Sequence, residues 1–161
     1  MKNEKILNLL RENARLTNAD IAVALGIEES EVAAAIEDME ARSIIKGYKC
    51  VIDEEKISPD KVSAIIELNV TPQGGYGFED VAQTISRYPE VESVSLMSGA
   101  CDLIVVVNGK TFREVSAFVS KELAVIESVT STSTQFIMKR YKDFGVELFG
   151  DEDDGRGRVS L

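Results

Sequence analysis

Apolar residues in the first fifty positions recur at helical spacing. Ile6, Leu9 and Leu10 stand at i, i+3 and i+4 within residues 2–13, which predicts an amphipathic helix. Thr17 or Asn18 can cap a second helix carrying Ile21, Ala22 and Leu25, and Gly26 stops it as a residue suited to the left-handed end of a helix. A third helix follows from about Ser30 to Arg42, with Val32, Ala33, Ile36 and Met39 on one face. Residues 44–52 (Ile-Ile-Lys-Gly-Tyr-Lys-Cys-Val-Ile) are rich in β-formers around a glycine and predict a strand pair. Helix, short helix, glycine-bearing turn, helix and strand pair is the order of a winged helix-turn-helix.

The pattern then changes. A polar stretch with Pro59 reads as a linker. Beyond it, residues 62–71 read as a strand, 72–77 (Pro-Gln-Gly-Gly-Tyr-Gly) as a loop, and 78–88 as a helix carrying Phe78, Val81, Ala82 and Ile85. Residues 91–97 and 101–107 read as strands either side of Ser98-Gly99-Ala100, and Asn108-Gly109 as a turn. Residues 111–123 read as a helix capped by Thr111 with Glu114 three residues on, and 126–139 as a last strand. The order β-α-β-β-α-β is the ferredoxin-like split βαβ arrangement, an antiparallel sheet with both helices on one face. The other face, with Ile66, Leu68 and Val70 or their alternates, is left for a partner, which predicts dimerisation. The chain therefore divides into a winged helix-turn-helix domain (1–53), a linker (54–61), a ferredoxin-like domain (62–142) and an acidic, glycine-containing tail (143–161), in which Val146, Leu148 and Phe149 could dock.

Composition narrows the function classes. With 161 residues and 44% hydrophobic positions, the chain suits one or two small cores. It holds no run long enough to span a membrane and no leader-type segment behind Met1, so a cytoplasmic location without membrane association is expected. Histidine is absent, which removes the commonest general base and the commonest metal ligand. Cys50 and Cys101 read as reduced thiols at partly buried strand positions. No metal, cofactor or catalytic residue is expected, and the chain reads as a non-enzyme. The net charge is −10, shared as −5 over residues 1–60, −1 over 61–142 and −4 over 143–161.

By residue and spacing the chain resembles the leucine-responsive/asparagine-responsive (Lrp/AsnC) regulator family from about Lys5 to Tyr141. The residues that carry the resemblance are Ile6-Leu-Asn-Leu-Leu10, Asn13-Ala-Arg-Leu-Thr17, Ile21-Ala22 with Leu25-Gly26, and Ile44-Ile-Lys-Gly-Tyr48. The second half adds Tyr88-Pro-Glu-Val91, Ser98-Gly-Ala-Cys-Asp-Leu103 and Ser131-Thr-Ser-Thr134. The resemblance implies a DNA-binding head that acts as a dimer on double-stranded DNA. It also implies a C-terminal domain, similar to the one named for regulation of amino-acid metabolism (RAM), that pairs through its sheet and assembles further, commonly into octamers. Small effectors, commonly amino acids, would bind between C-terminal domains.

Two sets of residues follow. For an effector, the resemblance points to Ser98, Gly99, Ala100 and Asp102, with Thr132 and Thr134 on the last strand. Gly99 would let a ligand approach the backbone, and Asp102 would accept from an α-ammonium group; the plainer alternative is that both serve only the turn. The family often has an aromatic residue just before the acid, where this chain has Cys101, which leaves ligand identity open. For DNA, the candidates are Lys5, Arg15, Arg42, Lys46 and Lys49 toward phosphates, with Ser30, Glu31 and Ala34 on the outward side of the third helix. That helix argues against the reading. Residues 28–42 (Glu-Glu-Ser-Glu-Val-Ala-Ala-Ala-Ile-Glu-Asp-Met-Glu-Ala-Arg) offer no base-reading cation on the outward face, although Glu31 could accept from a cytosine amino group. The leading expectation is an amino-acid- or small-molecule-responsive DNA-binding regulator. The alternative is an amino-acid-binding assembly protein that has lost sequence-specific DNA binding. An enzymatic reading resembles tetrapyrrole decarboxylases, which look histidine-dependent, and is set aside.

Overall fold

Thr17 begins the first informative contact. Its hydroxyl accepts from the Asp20 N–H at 3.1 Å, and the Asp20 carboxylate accepts from the Thr17 N–H at 2.9 Å, a reciprocal cap that satisfies two donors at a helix start. The computed structural model describes residues 2–71 and 77–148. The proposed loop at 72–76 and the tail from Phe149 onward lie outside the described residues. The chain divides into two compact units, 1–52 and 53–161.

The first unit holds α1 (Lys2–Glu12), α2 (Asn18–Leu25) and α3 (Glu29–Ala41). Gly26 ends α2 at φ 64°, and the N–H groups of Gly26 and Ile27 both return to the Ala22 carbonyl, so the turn uses the conformation a glycine adopts freely. Ile6, Ile21, Ala22, Val32 and Met39 form the core. α3 begins one residue before Ser30 and has no side-chain cap. After α3, Ser43 takes φ 57° and the Ile44 and Ile45 N–H groups close onto the Met39 carbonyl. The expected strand pair at 44–52 does not form a ladder: no strand occurs in that segment. The β-rich composition there lacks an adjacent backbone to pair with in this unit. Cys50 is accordingly exposed, not in a strand.

In the second unit, a short α4 (Glu54–Ile57) sits within the stretch read as linker. β1 (Val62–Val70), α5 (Phe78–Ile85), β2 (Val91–Leu96), β3 (Leu103–Gly109), α6 (Phe112–Phe118) and β4 (Val129–Ile137) follow. The sheet order is β2-β3-β1-β4, all antiparallel, the βαββαβ arrangement expected. α6 widens into one π turn over Val119–Leu123, closed by the Ala124 N–H to the Val119 carbonyl at 2.8 Å.

Register decides which residues the helices cover. Ala64, Ile66, Leu68 and Val70 of β1 are buried with Leu103, Val105 and Val107 of β3, against Val81, Ile85, Val115, Phe118 and Leu123. The inward residues are thus Ile66, Leu68 and Val70, and it is their alternates that occupy the open face. Ser63, Ile65, Glu67 and Asn69 share that face with Ile104, Val106, Ser131, Ser133 and Gln135. It is stitched by polar bonds, among them Gln135 to Glu67 at 3.0 Å and Asn69 to Ser131 at 2.8 Å. Asn108-Gly109 does not form the expected turn; both residues end β3. A Cβ at Gly109 would lie 2.9 Å from Val115 Cγ2, so glycine there serves the close approach of α6. The first residues of the expected tail make a small hairpin, β5 (Lys142–Asp143) with β6 (Val146–Glu147).

Candidate functional site: an effector turn and a DNA-facing head

The turn from Met97 to Asp102 joins β2 to β3 at the end of the sheet where β1 finishes. The Met97 N–H donates to the Asp102 carbonyl at 2.8 Å and closes the loop; the Asp102 N–H donates to Leu68. Val70, the last residue of β1, lies beyond the final β1–β3 pair, Leu68 with Leu103. Its N–H donates to Asp102 Oδ2 at 2.8 Å. The half-buried carboxylate therefore extends the ladder by one rung and is held rigidly. Its Oδ1 accepts no hydrogen bond among the described residues. The sequence did not announce this bond, because only the strand register brings Asp102 beside Val70.

Ser98, Gly99 and Ala100 are exposed at the tip. Gly99 is not in a left-handed conformation, and a Cβ added there would meet nothing within 4 Å. The turn itself therefore does not require a glycine at 99. Thr132 pairs with Leu68 and Thr134 with Ile66, which puts both half-buried threonines on the helix-bearing face. Their hydroxyls make no hydrogen bond among the described residues, unlike the neighbouring Thr130 and Ser131. β1 runs between Asp102 and Thr132, so the two are about 10 Å apart across two strand spacings. A separate groove of about 1560 Å³ opens at the opposite end of the sheet, and none of the six effector candidates lines it.

In the first unit the α3 surface carries Glu29, Glu31, Glu37, Asp38 and Glu40, all exposed, with Ser30 and Ala34 between them. Several are met by groups of the same unit. Lys2 Nζ lies 3.2 Å from Glu31, Arg42 bonds Asp38 at 3.0 Å, and the Tyr48 hydroxyl donates to Glu40 at 2.9 Å. Burial, and then the Glu40 carboxylate, push the Tyr48 pKa above its ordinary value. Arg42, a phosphate candidate, is thus engaged within α3, though exposed pairs of this kind contribute only about 0–1 kcal/mol and exchange readily. Lys5, Arg15 and Lys46 are exposed and make no ion pair among the described residues. Lys49 is exposed but has a partner. Glu29 and Glu31 in the first turn suit the positive end of the α3 dipole, yet they occupy the place where a phosphate would otherwise approach.

Comparison with known proteins agrees with this division. Residues 2–46 match the model of a winged helix-turn-helix DNA-binding domain, and residues 63–146 match that of the Lrp/AsnC ligand binding domain. An uncharacterized HTH-type transcriptional regulator of Bacillus subtilis, YugG, is 42% identical over 160 residues, covering 99% of this chain and 96% of that protein. Among solved structures, the leucine response regulatory protein of Mycobacterium tuberculosis superposes with a TM-score of 0.75 at 18% identity, covering 91% of this chain and 97% of that one. A transcriptional regulator of Neisseria meningitidis, solved as a complex with L-Met, gives 0.71 at 24% identity over 88% and 91%. Among the described residues no helix is long and apolar enough to cross a membrane, and no group of three or more metal-ligating side chains comes together.

Proposed function

The chain belongs to the Lrp/AsnC family and is a DNA-binding transcriptional regulator with a ligand-binding domain; from that premise we propose that its effector is a free amino acid bound at the Met97–Asp102 turn. The observation that carries this is the Asp102 carboxylate, fixed through Oδ2 to the Val70 N–H with Oδ1 left to accept. An α-ammonium group donating to Oδ1 would form a charge-assisted bond with an acceptor already oriented. Gly99, open to approach and not needed by the turn, would let the ligand carboxylate reach backbone N–H groups. The half-buried hydroxyls of Thr132 and Thr134, opposite Leu68 and Ile66 on the far side of β1, would serve a ligand that reaches past the strand. That a relative was solved with L-Met supports an amino acid as the class of effector.

In the same reading the open sheet face pairs with that of a second copy. Ile65, Ile104 and Val106 supply an apolar strip, and the Ser, Gln and Glu side chains around it supply hydrogen bonds. Pairing sets two heads at a fixed separation on double-stranded DNA, and effector binding shifts the packing of pairs and with it that separation. Lys5, Arg15, Lys46 and Lys49 contact phosphates, with Ser30, Glu31 and Ala34 toward the groove.

Calorimetry with a panel of amino acids tests the site. Asp102→Asn should weaken binding of the active effector at least tenfold, since the neutral amide forfeits the charge-assisted bond. Equal affinity in wild type and variant would retire this pocket. The acid-rich surface of α3 favours one competing reading, a head that serves assembly and no longer reads DNA. Binding of the full chain to its own upstream promoter separates the two.

A further inference from the structure

We propose that Glu31 is the specificity-determining residue of α3, an acceptor that selects cytosine in the major groove with Lys2 as its positioning partner; the proposal rests on the reading of α3 as the helix that meets the bases. The N-terminal residues of such a helix contact base edges. In α3 that end presents Ser30 and Glu31 and, one turn on, Ala34, all exposed. Glu29 belongs to the core side, three and four residues before the buried Val32 and the half-buried Ala33. A serine hydroxyl both donates and accepts and so discriminates little, and alanine has no polar group to offer. Glu31 is left as the residue of this turn that can choose between bases.

Its chemistry fixes the choice. An ionised carboxylate accepts hydrogen bonds and cannot donate one. In the major groove guanine shows two acceptors, N7 and O6, and thymine shows an acceptor beside its methyl group, so both repel it. Adenine sets its amino donor next to the N7 acceptor, whereas cytosine shows its N4 amino group alone. A carboxylate among phosphates is nonetheless costly unless a cation stands beside it, and here the acids of α3 differ. Lys2 reaches from the start of α1 to put its Nζ 3.2 Å from Glu31 Oε1. Asp38 and Glu40 are met farther along the helix by Arg42 and Tyr48. Glu37 is exposed and has no partner among the described residues, so it opposes every DNA sequence alike. An exposed pair such as Lys2 with Glu31 adds little to folding; its effect falls on what approaches Glu31. Lys2 thus neutralises the one acid placed at the base edges and holds it there.

Selection of binding sites from random DNA duplexes by the full chain tests this. Wild type should enrich cytosine at one fixed position of each half-site, by about tenfold or more over the other bases. Glu31→Gln should move that preference to adenine, whose N6 and N7 an amide contacts together, and Glu31→Ala should erase it, with the other positions unchanged. Glu37→Ala should raise affinity on all sequences alike and select the same site. Lys2→Met should weaken binding to the selected duplex severalfold in the wild-type chain and much less in the Glu31→Ala chain, a coupling that loss of an independent phosphate contact would not produce. Selected sites that stay the same in Glu31→Gln and Glu31→Ala would overturn the proposal, and equal Lys2→Met losses in both backgrounds would overturn the part given to Lys2. A wild-type chain that enriches no sequence would instead remove the base-reading role of α3 itself, and this inference with it.

Discussion

The N-terminal unit gathers three helices around five buried residues, Ile6, Ile21, Ala22, Val32 and Met39, whereas the C-terminal unit packs fourteen beneath one face of its sheet among the described residues. The head leans on its punctuation, the Thr17 cap and the left-handed Gly26, because so small a core does little to correct a wrong turn. The sheet unit leans on alternation and volume. Their surfaces differ too: the head displays acids on the helix expected to read bases, while the sheet unit presents an open face on which hydroxyls surround the apolar strip of Ile65, Ile104 and Val106.

The largest effect is expected in the sheet core. Leu103→Ala should cost about 2–5 kcal/mol and lower the unfolding transition of the C-terminal unit while leaving that of the head in place. Calorimetric unfolding of the full chain reads both; equal displacement of the two would mean that they do not fold as separate units. Next come two glycines that look alike in sequence. Gly26→Ala forces a Cβ into the left-handed region and should cost about 1–2 kcal/mol in the head. Gly99→Ala, where space is open and φ is ordinary, should stay within about 0.5 kcal/mol.

That contrast also marks what could be read before the fold was known. Thr17 and Gly26 act through bonds to residues within four positions, so their roles stood in the local sequence. The sheet arrangement followed from the order of strands and helices along the chain, and the two faces of β1 from alternation. Which face the helices cover did not, and Ile66, Leu68 and Val70 turned out to be inward. Asp102 meets Val70 only through the β1–β3 register. The ladder expected at 44–52 needed a partner backbone that composition cannot supply, and Gly109 owes its identity to Val115 of α6 and not to a turn.

Smaller effects test the head alone. Thr17→Ala should cost about 1 kcal/mol. The Thr17 hydroxyl and N–H hold the Asp20 pKa below its ordinary value, so the cap contributes fully above the ordinary carboxylate range and is lost as pH falls through the lowered folded value. Acid titration of head stability should therefore be flatter in Thr17→Ala than in wild type. Least of all, Glu40→Gln should bring the raised Tyr48 pKa part of the way back, leaving the part due to burial. The Tyr48 contribution is full below the ordinary tyrosine value and fades as pH rises through the raised one, which phenolate absorbance follows directly; an unchanged Tyr48 titration would contradict the Glu40 contact.

This acidic chain is proposed to hold DNA phosphates through Lys5, Arg15, Lys46 and Lys49 of the head. Fluorescence anisotropy with its own upstream promoter, across salt concentrations and with the amino-acid panel, tests it most directly. Tight binding at low salt and a linear fall of log affinity with log salt are expected. If Lys5, Arg15, Lys46 and Lys49 contact phosphates in a pair of chains, the slope should reach several units, up to about −7, and the active amino acid should displace the curve. A chain that binds no promoter at the lowest salt would contradict it.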